Sequence, residues 1–412
     1  MAEREQIIAQ IVNKIPHQAR KRIGIIFSNN ENWIGGTYYI TNLIQALDTL
    51  EDTKKPEIVI FSDNPKDAEI IQNTKYPYLD FLKLSLEYNI FERIINKLSR
   101  ILLKKNIINK KYAKNCVEAV FPYDLQVSLE NINHKIAWIP DFQEYFLKDF
   151  FSEEVLEIRK KHHLKIIAQD IPVILSSKEA ENNFRQIYPQ AKNKTSVLNF
   201  AVTHPAYKDL NINDLREKFK ITKPYFISPN QFWVHKNHQV ILDAIKLLKE
   251  NNLSIDFQII FTGKEFDFRY PEYANNLKKF VLENNLSDHI SFFGFIDRKE
   301  QLQLMNNALA VIQPSLFEGW STVVEDAKAM NKFLILSDIT VHKEQMQQQI
   351  QENKQENVCF FDPKSAIELK KAIIQTLNNV LNHTSKKENN TEYNVDYKKD
   401  ITTFANKFIE YI

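Results

Sequence analysis

Two short runs gather the side chains best placed to do chemistry. In Gln313-Pro-Ser-Leu-Phe-Glu318-Gly319-Trp320-Ser321-Thr322-Val-Val-Glu325-Asp326, an apolar strand ends at Gln313, a loop carries Glu318 and Gly319, and a helix begins near Thr322. Thr322 and Glu325 have the spacing of a capping box, which supports that start. Open α/β sheets bind ligands beyond the carboxyl ends of their strands, and helix N-termini offer free N–H groups to anions. One acid in the loop and another in the first helical turn can therefore face one polar ligand. Glu325 and Asp326 can equally do no more than favour the helix dipole. That explanation does not reach Glu318. In the second run, Phe226-Ile-Ser-Pro-Asn230-Gln231-Phe-Trp-Val-His235-Lys236-Asn237-His238, Lys236 opens a helix after a strand. An ammonium and backbone N–H groups then converge on one point, which suits a diphosphate. A plain surface lysine at a helix start is the alternative. Both Lys236 and Glu318 are expected at an exposed edge.

Glycine occurs only six times in 412 residues, where ~7% usage would give about 29, so the survivors should mark places that need a missing Cβ. Gly24, Gly35, Gly36, Gly263, Gly294 and Gly319 all fall at strands or strand ends. Gly35-Gly36-Thr37 lets backbone approach phosphate before a helix, although it is not the dinucleotide fingerprint G-x-G-x-x-G. Asp141 and Gln143, at another strand end, are placed either to position or deprotonate a hydroxyl or simply to cap. His235 and His238 share a helix face without a third ligand, so zinc is not expected. His342 and Glu344 read as a surface pair. No G-x-S-x-G, P-loop or Asp-x-Asp occurs, which removes hydrolase and NTPase readings.

Short apolar runs alternating with amphipathic ones position these residues, and that is the pattern of stacked βαβ units. Strands are expected near Arg22–Ser28, Glu57–Ser62, Leu125–Leu129, Lys135–Pro140, Val173–Ser176 and Ser196–Phe200. A second set follows at Tyr225–Ser228, Phe257–Thr262, Ile290–Phe293, Ala308–Gln313, Phe333–Leu336 and Val358–Phe361. Helices between them include Thr37–Leu47, Phe91–Leu103, Glu153–His162, Lys178–Ile187, Asn237–Glu250 and Val323–Met330. The expectation is an α/β chain of two Rossmann-like domains facing across a cleft. The first spans 1–204 and the second 205–385. A loop and terminal helix occupy 386–412, the helix capped by Asp400 and packing either on its own domain or back on the first.

The strand–Pro-Ser-x-x-Glu-Gly–helix–Asp-Ala run resembles the E-x7-E signature of retaining, nucleotide-sugar-dependent glycosyltransferases of the GT-B fold, family 4 type. The resemblance covers the second half and extends more loosely to Trp138-Ile-Pro-Asp141-Phe-Gln143. It implies that Glu318 contacts the donor sugar and that Asp326, aligned through Ala327 and Lys332, binds the ribose, with Glu325 as the neighbouring candidate. It places Gly319, Trp320, Ser321 and Thr322 around the donor, and Phe293-Gly294-Phe295-Ile296 as a backbone clamp on the nucleobase. Gly263 ends another strand of the donor site. An Arg and a Lys five residues apart hold the departing diphosphate in that family. Lys236 matches the Lys, but Gln231 stands where the Arg would be, so another basic residue such as Lys264 would have to compensate. Gly35 and Gly36 would lie across the diphosphate.

The resemblance implies transfer of a sugar from a nucleotide diphosphate donor to a hydroxyl acceptor, a surface or lipid-linked glycan, with Lys236, Glu318 and Asp141 catalytic and no metal or other cofactor. Gln231 and Asp326 keep a non-catalytic GT-B subunit that binds a partner or glycan as the alternative. A sugar-nucleotide epimerase is a further rival.

Composition narrows the setting. Lys+Arg 54 against Asp+Glu 52 gives a net charge of +2, which does not suit a dedicated nucleic-acid binder. Two distant cysteines and no signal-like or ~18-residue apolar segment point to the cytoplasm. Phe91–Lys114 nevertheless holds Arg93, Lys97, Arg100, Lys104, Lys105, Lys110, Lys111 and Lys114 against one acid, Glu92. Such a helix either lies on anionic lipid at the inner membrane face or packs its apolar side and keeps a solvated basic rim.

Overall fold

A computed structural model of the chain describes residues 20–30, 34–84, 90–103, 107, 116–123, 132, 134–251, 255–347, 357–383 and 395–412. The expected strand Leu125–Leu129, the basic residues Lys104, Lys105, Lys110, Lys111 and Lys114, and 386–394 lie outside them.

The first sheet is formed by β1 (Arg22–Ile26), β2 (Glu57–Phe61), β3 (Leu79–Leu82), β4 (Ala119–Phe121) and β5 (His134–Lys135), in the order β3-β2-β1-β4-β5. A short sheet follows, made of β6 (Ala137–Ile139), β7 (Val173–Leu175) and β8 (Thr195–Val197). The third contains β9 (Tyr225–Pro229), β10 (Gln258–Thr262), β11 (Ile290–Phe292), β12 (Val311–Gln313), β13 (Leu334–Ser337) and β14 (Val358–Phe361). Its order is β11-β10-β9-β12-β13-β14, and every pairing is parallel. In sequence terms that is 3-2-1-4-5-6, the doubly wound order whose direction of winding reverses between its first and fourth strands. The reversal falls between β9 and β12.

Parallel strands covered on both faces read as continuous apolar runs, and β9, β10, β12 and β13 are buried along their whole length. Strand alternation sends successive residues to opposite faces. Phe226, Ile259, Phe261, Ile312 and Ile335 pack on one side with Ile241, Ile245 and Leu248 of the helix His238–Glu250. Tyr225, Ile227, Ile260, Val311 and Leu336 pack on the other with Leu302, Met305 and Val324. Each such side chain contributes roughly 1.5–3 kcal/mol on burial.

The described chain divides into two compact units. One holds the residues up to Trp138, Ile171–Val173 and Ala405–Ile412; the other holds Ile139–Asp170 and Ile174–Phe404. The sequence reading counts 139–204 with the first domain, whereas this division groups most of that stretch with the second. The physical ties are direct. Trp320 Nε1 donates to Phe200 O at 3.0 Å, and Glu344 accepts from the Lys178 and Glu179 N–H groups at 2.7 and 3.1 Å. Glu344 thus caps the helix Lys178–Ile187, and its neighbour His342 is fully buried, so the two are not a surface pair.

Other elements also differ from expectation. β3, β4 and the helix Pro65–Gln72 were not anticipated, because Pro77 shortly before β3 and Pro122 directly after β4 read as loop signals. Asn64 accepting from Lys66 N at 3.1 Å, with Pro65 next, is the missed start signal of that helix. The run Lys135–Pro140 is broken at Ile136 into β5 and β6. The first helix spans Ile34–Asp48, so Gly35 and Gly36 sit in its first turn rather than in a preceding loop. The last helix is Val395–Tyr411, which puts Asp400 inside it instead of at its cap. On the helix Ile90–Leu103, Phe91, Ile94 and Ile95 are 78%, 50% and 42% exposed, so these three do not pack.

Candidate functional site

The loops that follow β9 and β12 meet where the winding of the sheet reverses. After β9 the chain makes one turn of 3-10 helix, Val234–Lys236, and Asn237 then takes a left-handed conformation (φ 56°) before the helix His238–Glu250. Lys236 therefore ends a turn and does not open the helix itself. Asn237 Nδ2 donates to Pro314 O at 3.1 Å and Pro363 O at 2.8 Å, and Leu316 N donates to His235 O at 2.8 Å. These bonds lock the lysine loop to the Glu318 loop.

The result is an ion pair. Lys236 Nζ lies 2.6 Å from Glu318 Oε1, with side-chain exposures of 14% and 7%. The exposed edge expected for these residues is corrected: the close-packed loops cover them. Gln313 Nε2 also donates to Glu318 Oε1, at 2.8 Å, while Asn230 Nδ2 donates to Gln313 Oε1, at 2.8 Å. Burial pushes the Glu318 carboxyl up, but the Lys236 charge and hydrogen bonds from Lys236 and Ser315 reverse this and leave it below the usual range. It is an ionised, fixed acceptor. Gln313 is a site residue that sequence reasoning missed; a buried polar side chain at the last position of an apolar strand is its signal.

Gly319 brings a second acid to this pair. A Cβ there would lie 2.5 Å from Pro140 O and 2.9 Å from Asp141 Cβ, so only glycine lets the two loops touch. Asp141 Oδ1 accepts from Gln143 N at 2.9 Å, while Oδ2 lies against Gly319. Burial raises the Asp141 carboxyl above its ordinary value, opposed by the Gln143 N–H and Arg159, and the Glu318 charge pushes it further up. Asp141, Lys236, Glu318 and Gly319 are thus one constellation. His342, also missed, acts on it: its ring is lowered to about 4 by burial, partly offset by the Glu318 charge. Its Nδ1 bonds Ser337 O at 2.9 Å, which fixes the orientation of the imidazole.

The helix Thr322–Ala329 is capped by Ser321, whose Oγ accepts from Val324 N at 3.4 Å. The cap is one residue earlier than the Thr322–Glu325 spacing suggests. The two acids after it are already engaged. Asp326 accepts from Arg298 Nη2 at 2.6 and 2.7 Å and pairs with His204 Nε2 at 2.9 Å. Burial pushes its carboxyl up, and Arg298 and His204 more than reverse that. Glu325 bonds Lys328, Gln345 Nε2 at 2.9 Å and Tyr397 Oη at 2.9 Å, and burial leaves its carboxyl raised. The Trp320 indole N–H is committed to Phe200 O. Both candidate ribose acids are therefore held inside the unit by protein partners.

Of the remaining donor residues, Gly263 has φ +141° and a built Cβ would lie 2.0 Å from Asn230 O, so the β9 and β10 ends require a glycine there. Its N–H donates to Gly294 O at 2.8 Å. Phe295, next to Gly294, is 69% exposed. Gln231 is half-buried and brings no charge. Gly35 and Gly36 belong to the first unit. Among the described residues no three His, Cys, Asp or Glu side chains are grouped to hold a metal ion.

Residues 211–395 match the family described as "Glycosyl transferases group 1". That stretch, a little under half of the chain, is similar to the group 1 glycosyl transferases. It contains Lys236, Glu318 and Asp326, while Asp141 lies before it. The O-antigen chain mannosyltransferase RfbU of Salmonella typhimurium (strain LT2) is 26% identical over 221 residues, 52% of this chain and 54% of that protein. The match thus spans about half the length of that relative. A glycosyltransferase structure from Rickettsia africae ESF-5 superposes with a TM-score of 0.62 at 15% identity, covering 95% of this chain and 96% of that one. Anabaena Alr3699/HepE in complex with UDP and glucose gives 0.61 at 14% identity, covering 95% and 98%. These structural likenesses establish the GT-B fold.

Proposed function

We propose that the chain is a glycosyltransferase that moves a sugar from a nucleotide diphosphate donor to a hydroxyl of a glycan acceptor, retaining the anomeric configuration. The observation that supports this best is the Lys236–Glu318 pair at the reversal point of the sheet, where open α/β folds bind ligands. Lys236 exchanges Glu318 for the donor's diphosphate. The bond from the anomeric carbon to the phosphate oxygen breaks with its electron pair going to the nucleoside diphosphate, and the ammonium stabilises the growing charge. The acceptor oxygen then bonds to the same face of that carbon, and its proton passes to the departing phosphate. Glu318, released from Lys236, accepts from a donor-sugar hydroxyl, and Asp141 orients the acceptor. No metal takes part in this scheme. The UDP and glucose held by the Anabaena neighbour and the mannosyl transfer named for the Salmonella relative favour this class of chemistry.

Calorimetry with UDP-, GDP- and ADP-linked sugars, followed by NMR of the product's anomeric proton, tests the reading. Binding of one donor and a product of unchanged anomeric configuration is expected, with EDTA leaving the rate unaltered. Inversion, or a rate abolished by EDTA and restored by manganese, refutes the scheme. The sequestered Asp326 and the uncharged Gln231 favour a second reading, a non-catalytic subunit, which predicts no turnover of any donor.

The helix Ile90–Leu103 supports contact with an anionic membrane. Phe91, Ile94 and Ile95 form an exposed i, i+3, i+4 stripe with exposed Lys97 alongside. Among the described residues no helix is long and apolar enough to cross a membrane. Flotation with phosphatidylglycerol vesicles but not phosphatidylcholine vesicles is the expected result.

A further inference from the structure

Beside the charged constellation the second unit exposes an aromatic surface that the transfer scheme does not use. Phe317 immediately precedes Glu318, and its ring stacks on Phe146 with centroids 5.8 Å apart and planes 22° from parallel. Tyr145 meets Phe146 edge-on at 5.3 Å, and Lys148 Nζ lies 4.9 Å from the Tyr145 ring. Phe146 and Tyr145 are 41% and 43% exposed, and Phe317 is half-buried. The short helix Gln143–Phe146 that carries two of these rings begins two residues after Asp141. Flat apolar rings left in water beside a cluster of carboxylates are unfavourable unless something covers them.

We infer that Phe146 and Phe317 form the platform for the acceptor's terminal pyranose ring, with Asp141 receiving the reacting hydroxyl. This inference rests on the transferase reading and narrows it: the acceptor unit that meets Asp141 is a pyranose ring, not an acyclic polyol, and Phe146 and Phe317 select it. The chemistry of the surface selects that occupant. One face of a pyranose is a patch of C–H bonds that lies flat on an aromatic ring, and the rim is a row of hydroxyls that donate to carboxylates. Asp141 Oδ1 already accepts from Gln143 N, which orients the carboxylate, and Oδ2 lies against Gly319, next to Glu318. A ring resting on Phe146 therefore has a hydroxyl acceptor at its edge on the side of the donor site. A lipid chain would be served by the rings alone and would gain nothing from the carboxylate. An acyclic polyol would use the carboxylate and leave the rings wet.

The experiment compares methyl α-mannopyranoside, methyl α-glucopyranoside and methyl α-galactopyranoside with glycerol as acceptors, using the donor found by calorimetry. The unmodified chain is expected to show a lower KM for at least one pyranoside than for glycerol. Phe146→Ala and Phe317→Ala should each raise that pyranoside's KM by about 10-fold while nucleoside diphosphate affinity is kept. Phe146→Leu, which keeps apolar bulk but loses the flat face, should resemble Phe146→Ala. NMR saturation transfer on the unmodified protein is independent of any variant: irradiating aromatic protons should mark the C–H protons of one pyranoside face. Equal KM values for glycerol and all pyranosides, unchanged KM in both alanine variants, or no saturation transfer from aromatic protons overturns the inference and leaves the transferase reading standing. Failure to bind or consume any nucleotide sugar removes that reading, and this inference with it.

Discussion

Glu318→Gln should weaken the fold and strengthen nucleotide binding at once. In the free protein the Lys236 ammonium is 2.6 Å from Glu318 Oε1, and both side chains are mostly out of water. The amide leaves a buried ammonium without its counter-ion, which costs about 3 kcal/mol, the lower end for breaking a buried pair from one side. For a unit of this size that is a fall in Tm of roughly 6–12 °C. A nucleoside diphosphate then becomes the counter-ion and no longer has to displace Glu318, so its affinity should rise ~10-fold, about 1.4 kcal/mol. Sugar transfer should nevertheless fall, because the carboxylate that accepts from the donor sugar is gone. Lys236→Ala should do the opposite to the nucleotide, weakening it while lowering turnover by ~10²–10³-fold, as loss of one preorganised donor does. Scanning calorimetry on both single variants and on Lys236→Ala/Glu318→Gln completes a cycle, with a coupling of ~1–3 kcal/mol expected. Additivity within ~0.5 kcal/mol, or weaker nucleoside diphosphate binding in Glu318→Gln, would refute the exchange of partners at Lys236.

Three further outcomes follow from individual contacts. Gly319→Ala forces a Cβ to within 2.5 Å of Pro140 O, so urea unfolding should show a loss of ~1–3 kcal/mol, and transfer should suffer more than nucleotide affinity because Asp141 is displaced. Asp326→Asn strands Arg298 and His204 and should cost ~3 kcal/mol near neutral pH. Because the folded carboxyl of Asp326 lies below its ordinary value, its contribution is present above that value and is lost as pH falls through the folded one. The gap between wild type and Asp326→Asn should therefore close on acidification, as read by denaturant titrations across pH 3–7. Tyr397→Phe removes the hydroxyl that accepts from Val202 N at 2.9 Å and donates to Glu325, and a loss of ~1–3 kcal/mol is expected by thermal melting.

The sheet and the site loops were legible in the sequence for different reasons. β9, β10, β12 and β13 are apolar runs buried on both faces, so composition alone marks them. Lys236, Glu318 and Gly319 stood out because charge and glycine at strand ends need a reason in a chain so poor in glycine. What the sequence hid is partnership. Glu318 and Lys236 are 82 residues apart, and Asp326 meets residues 28 and 122 positions away, so no local spacing announces either contact. The same blindness hid the partners of Asp326 and made His342 a surface residue. Both follow from packing between helices that periodicity places separately. β4 was hidden for a local reason: its three residues, Ala119–Phe121, run directly into Pro122, which reads as a turn signal.

The helix Val395–Tyr411 carries a consequence for synthesis. Its last residues, Ala405–Ile412, belong to the first unit, where Phe408 is fully buried and meets Phe121 edge-on at 5.4 Å. On the ribosome, nascent chain order and spatial order are therefore out of step. The first unit emerges early but lacks Phe408 until the second has been translated, and it waits with an unfilled hydrophobic gap.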